Sequence, residues 1–416
     1  MRRALLLLLL LWPALALAEP GTVIVISWDG VRFDDPERVG LPGLARMARE
    51  GARAERLIPP FPSATFPSHV SLATGTWPDV HGIVANRFRD PQLGVFDYSD
   101  DTRFLRAEPL WIAAERQGVR AATYFWVGSE QPWHGMAATY RMRPFSRAVP
   151  EREKIRQLLA WLALPEAERP HLIMTWWRGA DREGHLHGPG SPEVDDALRA
   201  QDAELTYLLA ELDALQRWDE ITLIVVSDHG MTRATHAIDL EDRLSETGLE
   251  GIVEVSAAVG QVYLSQPEEA EQALEALGSH PDVQAYLPST LPESLRFDAG
   301  PRVGDVVCIT DPPNTFRAGF GNRMARRVGQ GTGAHGYRTH HEAVHGIWFA
   351  LGRGVAPGLR LGSLLAIDLA PTVSALLGID PPAQNEGRVI QLEKPPEGLY
   401  ERPQDRPSGG VAGNLP

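Results

Sequence analysis

Three apolar runs in this chain stop at an aspartate or a few residues short of one, and that pattern limits the fold more than any other feature. Gly21-Thr22-Val23-Ile24-Val25-Ile26-Ser27-Trp28-Asp29-Gly30 is almost continuously apolar before it closes on an acid and a glycine. Strict alternation would signal one wet face, whereas a continuous β-branched run predicts a central parallel strand buried on both faces. Leu172-Ile173-Met174-Thr175-Trp176 ends just before Asp181, and Ile221-Thr222-Leu223-Ile224-Val225-Val226-Ser227 runs directly into Asp228-His229. A fourth run, Gly346 to Gly352, follows a histidine-rich stretch. Helical patterns lie between them, the clearest opening with Ser191 as N-cap and Pro192 in the first turn, with apolar positions from Val194 to Leu215. Strands alternating with amphipathic helices predict a doubly wound α/β fold, a mostly parallel sheet with helices on both faces. Ligands of such sheets gather beyond the carboxyl ends of the strands, where these acids and histidines fall.

Asp29, Asp181, His185, Asp228, His229 and His335 form the resulting constellation, the last in Gly-Ala-His-Gly. Three carboxylates with three imidazoles suit zinc or a similar divalent ion. Six ligands exceed one tetrahedral site and match two sites of three, each completed by a nucleophile or a substrate oxygen. The Asp181 to His185 spacing predicts both side chains on one side of a tight turn. A lone aspartate at a strand end is more often a helix cap and a lone histidine more often an ordinary hydrogen-bonded residue; it is their convergence on one face that points to metal. Thr65, within Pro62-Ser63-Ala64-Thr65-Phe66-Pro67-Ser68-His69, precedes a new helical pattern. A hydroxyl there either caps the helix or meets a phosphate oxygen at the positive end of its dipole.

Charge narrows the substrate. With Lys+Arg 40 against Asp+Glu 54, net −14, the chain has no sign of a polynucleotide-binding surface. A small phosphorylated substrate stays compatible, because bound metal supplies positive charge locally. At the N-terminus, Arg2 and Arg3 precede an apolar run from Ala4 to Ala18 that ends in Ala16-Leu17-Ala18, the layout of a cleaved signal peptide over residues 1–18. The run is shorter than the about 20 residues a membrane span needs, so the mature protein is expected outside the cytoplasm, periplasmic or secreted, with no span after cleavage. Cys308 has no partner cysteine, so export brings no internal disulfide. Residues about 251–310 read as a small inserted α+β subdomain: a strand from Val253 to Leu264, a helix from Pro267 to Leu277, and short strands at Val283 to Leu287 and Val303 to Ile309. Arg317, Arg323, Arg326 and Arg327 fall in a loop over 316–330, read as a solvated turn rather than an anion site. A last helix is read from Asp368 to Leu377, and residues 401–416 read as a disordered tail.

In order along the chain, Ser27-Trp28-Asp29-Gly30-Val31-Arg32, Thr65-Phe66-Pro67-Ser68-His69, Ala73-Thr74-Gly75, Pro78-Asp79-Val80-His81-Gly82-Ile83-Val84-Ala85-Asn86, Asp181-Arg182-Glu183-Gly184-His185, Ser227-Asp228-His229-Gly230-Met231 and Gly333-Ala334-His335-Gly336 resemble the nucleotide pyrophosphatase/phosphodiesterase family of the alkaline phosphatase superfamily. The resemblance implies an alkaline-phosphatase-like catalytic domain over residues 19–400. It implies two zinc ions, one held by Asp181, His185 and His335, the other by Asp29, Asp228 and His229 together with Thr65. Thr65 would be the nucleophile of a covalent phospho-threonine intermediate, with Asn86 and the Thr65 backbone N–H holding a non-bridging phosphate oxygen. The expected activity is hydrolysis of phosphodiester or pyrophosphate bonds of small nucleotides, releasing nucleoside 5′-monophosphates. Only Asn86 is evident to contact the extra oxygens, which favours diesters over monoesters, and the Arg of the sulfatase motif is absent after Thr65. Phe66 matches a base-stacking position; Trp176, Tyr98 and Tyr140 are further pocket candidates. Aromatic walls would also hold a choline-type cation, leaving a choline-type or glycerol-type phosphodiester or a phosphonate as the alternative. A catalytically silent binding protein would be expected to lack ligands, and all six are present. Ser68 stands where the family commonly has Asn, a departure that bears on substrate detail.

Overall fold

The computed structural model describes residues 21–317 and 332–393. The leader 1–18, the tail 401–416 and Arg323, Arg326 and Arg327 lie outside the described residues. Among the described residues no helix is long and apolar enough to cross a membrane.

Eight strands form the main sheet: β1 (Thr22–Trp28), β2 (Ala52–Ala54), β3 (Ala121–Tyr124), β4 (Tyr140–Met142), β5 (Leu172–Trp177), β6 (Ile221–Val226), β7 (Trp348–Gly352) and β8 (Leu359–Leu361). Their spatial order is β8-β2-β7-β6-β1-β5-β3-β4. From β6 to β4 every pairing is parallel; β7 runs antiparallel to both β6 and β2, so the sheet is mixed beyond that edge. β1 lies at the centre with every residue buried. Ile24, Ile26 and Trp28 pack to one side, against Leu198, Leu205 and Leu209 of the helix Pro192–Leu215. Val23 and Val25 pack to the other, with Leu72, Leu369 and Val373. Each such side chain removed from water is worth about 1.5–3 kcal/mol, so a strand apolar at every position is stable only between two helical layers. Ser191 accepts a hydrogen bond from Val194 N (3.3 Å), which starts the long helix where the sequence indicated.

After β6 the chain builds a second, antiparallel sheet from Gly251–Ser256, Val259–Leu264, Gln284–Tyr286 and Val306–Ile309, covered by the helix Ala270–Gly278. It has its own apolar cluster, which includes Leu240, Val262, Leu277, Val306 and Cys308. Burial holds the Cys308 thiol up to about 12. The single strand read over Val253 to Leu264 is in fact a hairpin. The chain reverses at Ala257, whose φ of 48° is left-handed, and neither Gly nor Asn marks that turn in the sequence. The helix read from Pro267 begins as a 3₁₀ turn, Pro267–Glu269, before α-helix sets in at Ala270.

Arg302 locks this second sheet to the main body. It is 2% exposed, pairs with Asp90 (2.7 Å), donates to Gly82 O and Phe104 O, and lies over the Phe88 and Phe104 rings. Removing one partner of a buried ion pair leaves an uncompensated charge, so Arg302→Met is expected to lower stability by about 3 kcal/mol, read from the midpoint of urea unfolding.

Candidate active site

Three adjacent parallel strands deliver the acids. Asp29 follows β1, Asp228 and His229 follow β6, and Asp181 opens the short helix α2 (Asp181–His187) just beyond β5. The Asp181-to-His185 segment is thus a helix rather than a tight turn, and it is the i,i+4 spacing that stacks the two side chains on one face. His335 comes from outside the main sheet, one residue past the Thr332–Ala334 strand, which pairs with Thr232–Ala234. Gly30 makes the approach possible: its φ is 69°, and a Cβ there would lie 2.7 Å from the Asp181 Cα.

The six side chains converge. His185 Nε2 lies 3.2 Å from Asp181 Oδ1 and 3.1 Å from His335 Nε2, and His335 Nε2 is 3.6 Å from Asp181 Oδ1. His229 Nε2 lies 3.2 Å from Asp228 Oδ2 and 3.6 Å from Asp29 Oδ1. Asp181, His185 and His335 form one cluster, and Asp29, Asp181 and His229 another, the candidate ligand atoms of each lying within 4.8 Å of one another. Asp181 therefore reaches both groups.

Polar bookkeeping tests whether a cation belongs here. His185 Nδ1 faces Gly333 O (3.0 Å), His335 Nδ1 faces Ser63 O (2.9 Å) and His229 Nδ1 faces Gly230 O (2.9 Å). A carbonyl only accepts, so this network places each neutral imidazole's proton on Nδ1 and turns three Nε2 lone pairs inward. They meet further acceptors: Asp29 Oδ1, Asp181 Oδ1 and Asp228 Oδ2 are buried with no hydrogen-bond donor among the described residues. Acceptors facing acceptors in a buried site are costly unless a cation sits among them, and carboxylate with imidazole is a donor set that fits zinc. Without such a cation the strain shows in the acid–base properties. Burial, then the Asp228 and Asp181 charges, raises Asp29 well above the carboxylate range, and burial also raises Asp228. Burial would raise Asp181 too, but His185 and His335 outweigh it and hold that carboxyl low. His335 is pushed well down by burial and by its histidine neighbours.

Thr65 is the first residue of α1 (Thr65–Thr74), after an extended Ala64. Its side chain is not the cap: Thr65 Oγ1 sits 3.3 Å from His229 Nε2, beside the cluster. Asn86 Oδ1 accepts from Phe66 N (2.9 Å) while its Nδ2 donates to Tyr98 OH (3.2 Å), so the amide is oriented from both ends. His69 closes the Thr65 motif. It is fully buried, 3.3 Å from Asp228 Oδ2, its Nδ1 bonding Thr65 O (2.8 Å) and its Nε2 Ser27 Oγ (2.8 Å). Burial pushes it down to about 3, so it stays neutral and braces the start of α1.

A cavity of about 230 Å³ opens on Asp29 and Thr65, walled by Phe66, Phe125, Trp126, Phe145 and Trp176. Trp176 donates Nε1 to Asp29 Oδ2 (3.0 Å), and Phe66 meets Tyr98 edge-on at 5.3 Å. Beneath this wall, buried Lys154 donates to Trp176 O (2.7 Å) and lies 4.7 Å from the Trp176 ring centroid. Tyr140 is not brought here: on edge strand β4, its hydroxyl donates to Glu168 O (2.9 Å), and its ring packs on Trp161. Phe145, five residues on, lines the cavity instead. The sequence reading missed Phe125, Trp126 and Phe145; the only available signal was an aromatic pair directly after Ala121–Tyr124, a strand it had not read.

Residues 23–338 match the type I phosphodiesterase / nucleotide pyrophosphatase family, so the chain belongs to that family. Among curated relatives, ectonucleotide pyrophosphatase/phosphodiesterase family member 1 of Rattus norvegicus is 29% identical over 396 residues, 91% of this chain and 43% of its own length. The chain thus spans less than half the length of that relative. Bis(5'-adenosyl)-triphosphatase enpp4 of Xenopus laevis is 25% identical over 363 residues, covering 86% of this chain and 78% of its own length. Among solved structures, murine ectonucleotide pyrophosphatase/phosphodiesterase 5 superposes with a TM-score of 0.80 at 26% identity, covering 86% of this chain and 96% of that one. An inactive threonine-to-alanine form of the murine protein has been solved in complex with AMP. The architecture is alkaline-phosphatase-like α/β.

Metal should stabilise the protein in a pH-dependent way. Protons held on Asp29 and Asp228 compete with a divalent ion, so binding strengthens as pH rises. Zinc added to chelator-stripped protein is expected to raise the melting temperature by about 5 °C at pH 8 and by clearly less at pH 5, measured by differential scanning fluorimetry.

Proposed function

We propose that this chain is an exported, zinc-dependent phosphodiesterase that cleaves phosphodiester or pyrophosphate bonds of small nucleotides and releases nucleoside 5′-monophosphates. The observation that carries the reading is Thr65 Oγ1 at the foot of α1, 3.3 Å from His229 Nε2 and beside the orphaned carboxylates. Family membership supports it, as do the names of the relatives: one is called a bis(5'-adenosyl)-triphosphatase, and a solved one binds AMP in an inactive threonine-to-alanine form. Two divalent ions, one held by Asp181, His185 and His335 and the other by Asp29, Asp228, His229 and Thr65, would neutralise the phosphate and lower the pKa of the threonine hydroxyl.

The chain's own groups do the rest. Thr65 Oγ1, giving up its proton to solvent, attacks phosphorus in line, and the P–O bond on the far side breaks with its electron pair going to the leaving group. Water then attacks the phospho-threonine, returning the hydroxyl to Thr65 and releasing the monophosphate. Asn86 Nδ2, oriented through the Phe66 N bond, and the Thr65 N–H at the helix start hold a non-bridging oxygen as its charge grows. The aromatic cavity beside Thr65 receives the nucleoside, with Phe66 and Trp176 against the base and Tyr98 at the rim.

One observation favours a second reading. The same cavity is also lined by Asp100 and Glu130 against a single cation, Arg147, and aromatic faces with a surplus of acid would hold a choline-type cation. Hydrolysis of nitrophenyl thymidine 5′-monophosphate well above that of nitrophenylphosphorylcholine is expected; the reverse order would establish the choline reading. Thr65→Ala is expected to cut kcat for the thymidine ester by at least about 10³-fold with zinc content retained, read by steady-state kinetics and metal analysis. Asn86→Ala is expected to cost about 10²-fold in kcat, with a smaller change in KM.

A further inference from the structure

Lys154 is buried beneath the aromatic cavity, at 1% exposure, and has no part in the chemistry set out above. Its helix, Glu151–Leu162, packs against β5, and its Nζ meets two rings of the cavity wall. It lies 4.7 Å from the Trp176 ring centroid and 5.9 Å from that of Phe125. Nζ donates to Trp176 O (2.7 Å) and stands 3.7 Å from Glu151 Oε1. Burial pulls Lys154 down to about 8 while Glu151 holds it up, so at pH 7 the group is mainly an ammonium.

Glu151 does not cancel this charge, because it is shared. Arg178 donates to it from its backbone N (3.1 Å) and from Nη2 (3.3 Å), so two cations stand against one carboxylate behind the wall. On the cavity side, apart from Asp29 of the ligand cluster, Asp100 and Glu130 stand against Arg147. The surplus of acid that lines the cavity is therefore offset by a surplus of cation behind its aromatic rings. A ring attracts a cation through the negative face of its π system, and the attraction is felt within about 6 Å of the centroid. Trp176 and Phe125 already have Lys154 at that range. A quaternary ammonium in the cavity would share these rings with a like charge, across an interior that screens charge poorly. A neutral base meets the same apolar area with no such opposition.

Resting on the reading of this cavity as the site of the retained nucleoside, we propose that Lys154 is a positioning residue that sets the cavity's charge preference: its ammonium behind Trp176 and Phe125 disfavours cationic groups and selects neutral ones such as a nucleobase. Lys154 thereby decides between the two substrate classes that the lining of the cavity admits.

Phosphorylcholine and neohexyl phosphate test this directly, because they share one shape and differ in a quaternary nitrogen against a quaternary carbon. Their Kd values are measured by titration calorimetry at pH 7 on the zinc-loaded full chain. The wild type is expected to bind the two within about two-fold of each other despite its aromatic walls, and Lys154→Met to favour the cation by about five- to ten-fold. Lys154→Arg keeps a cation behind the wall and is expected to keep the wild-type ratio. Loosened packing around Trp176 would weaken both ligands together, so the ratio separates charge from structure, and melting temperatures show whether each variant is folded. An unchanged ratio in folded Lys154→Met overturns the proposal, as does a shift of the same size in Lys154→Arg. A wild type that already favours phosphorylcholine by more than about two-fold overturns it without any variant. Binding of neither ester overturns it too, since the preference needs an organic group in this cavity. The phosphodiesterase reading fails separately, if the wild type hydrolyses neither nitrophenyl thymidine 5′-monophosphate nor nitrophenylphosphorylcholine, whatever the ratio of Kd values.

Discussion

The site is built around a concentration of buried acceptors, three of whose carboxylate oxygens have no donor among the described residues. Asp29 Oδ1, Asp181 Oδ1 and Asp228 Oδ2 face three imidazole nitrogens whose partner nitrogens are committed to backbone carbonyls. Such an arrangement is costly on its own, and a cation turns the same geometry into a strong one. The neighbouring structure holds the ligands in position against that cost. Trp176 ties Asp29, Gly30 N donates to Asp228 Oδ1 (3.1 Å), and neutral His69 braces the start of α1 behind Thr65. Lys154 in turn anchors the Trp176 backbone from below.

The acidic composition looks different once this centre is in place. Three of the 54 acidic residues converge at one point, where divalent ions would reverse the local field. Outside that point the surplus of acid remains, which suits a small diester and not a polynucleotide. Two cavities flank the centre: one walled by aromatic rings beside Thr65, and one of about 350 Å³ lined by His185, His335 and Asn86. Of the second cavity's wall, Val255, Ser256 and Ala257 come from the inserted sheet, which Arg302 fastens to the body.

Much of this was legible in the sequence because buried parallel strands and their terminal acids are written in contiguous residues. β1, β5 and β6 could be read from their apolar runs, and Ser191 from its cap position. The six converging Asp and His side chains could be named from the strand ends and from the motifs around them. Turn geometry was harder. The Ala257 reversal has no Gly or Asn to announce it, so a hairpin read as one strand. Asp181 and His185 read as a turn because a seven-residue helix with a glycine inside gives little periodicity. Tyr140 and Phe145 were indistinguishable by type, and only the path of the chain after β4 put one on the edge and the other in the cavity.

The sequence by itself determined the class of fold and the residue types that converge beyond the strands, because a strand buried on both faces must be apolar throughout and the acids and histidines stand where those runs end. Tertiary structure decided which groups share a cavity. Thr65 meets His229 across 164 residues of chain, and His335 reaches His185 across 150. Those distances depend on how helices, glycines and an inserted sheet pack against one another, and packing is a property of the whole chain that no local stretch records.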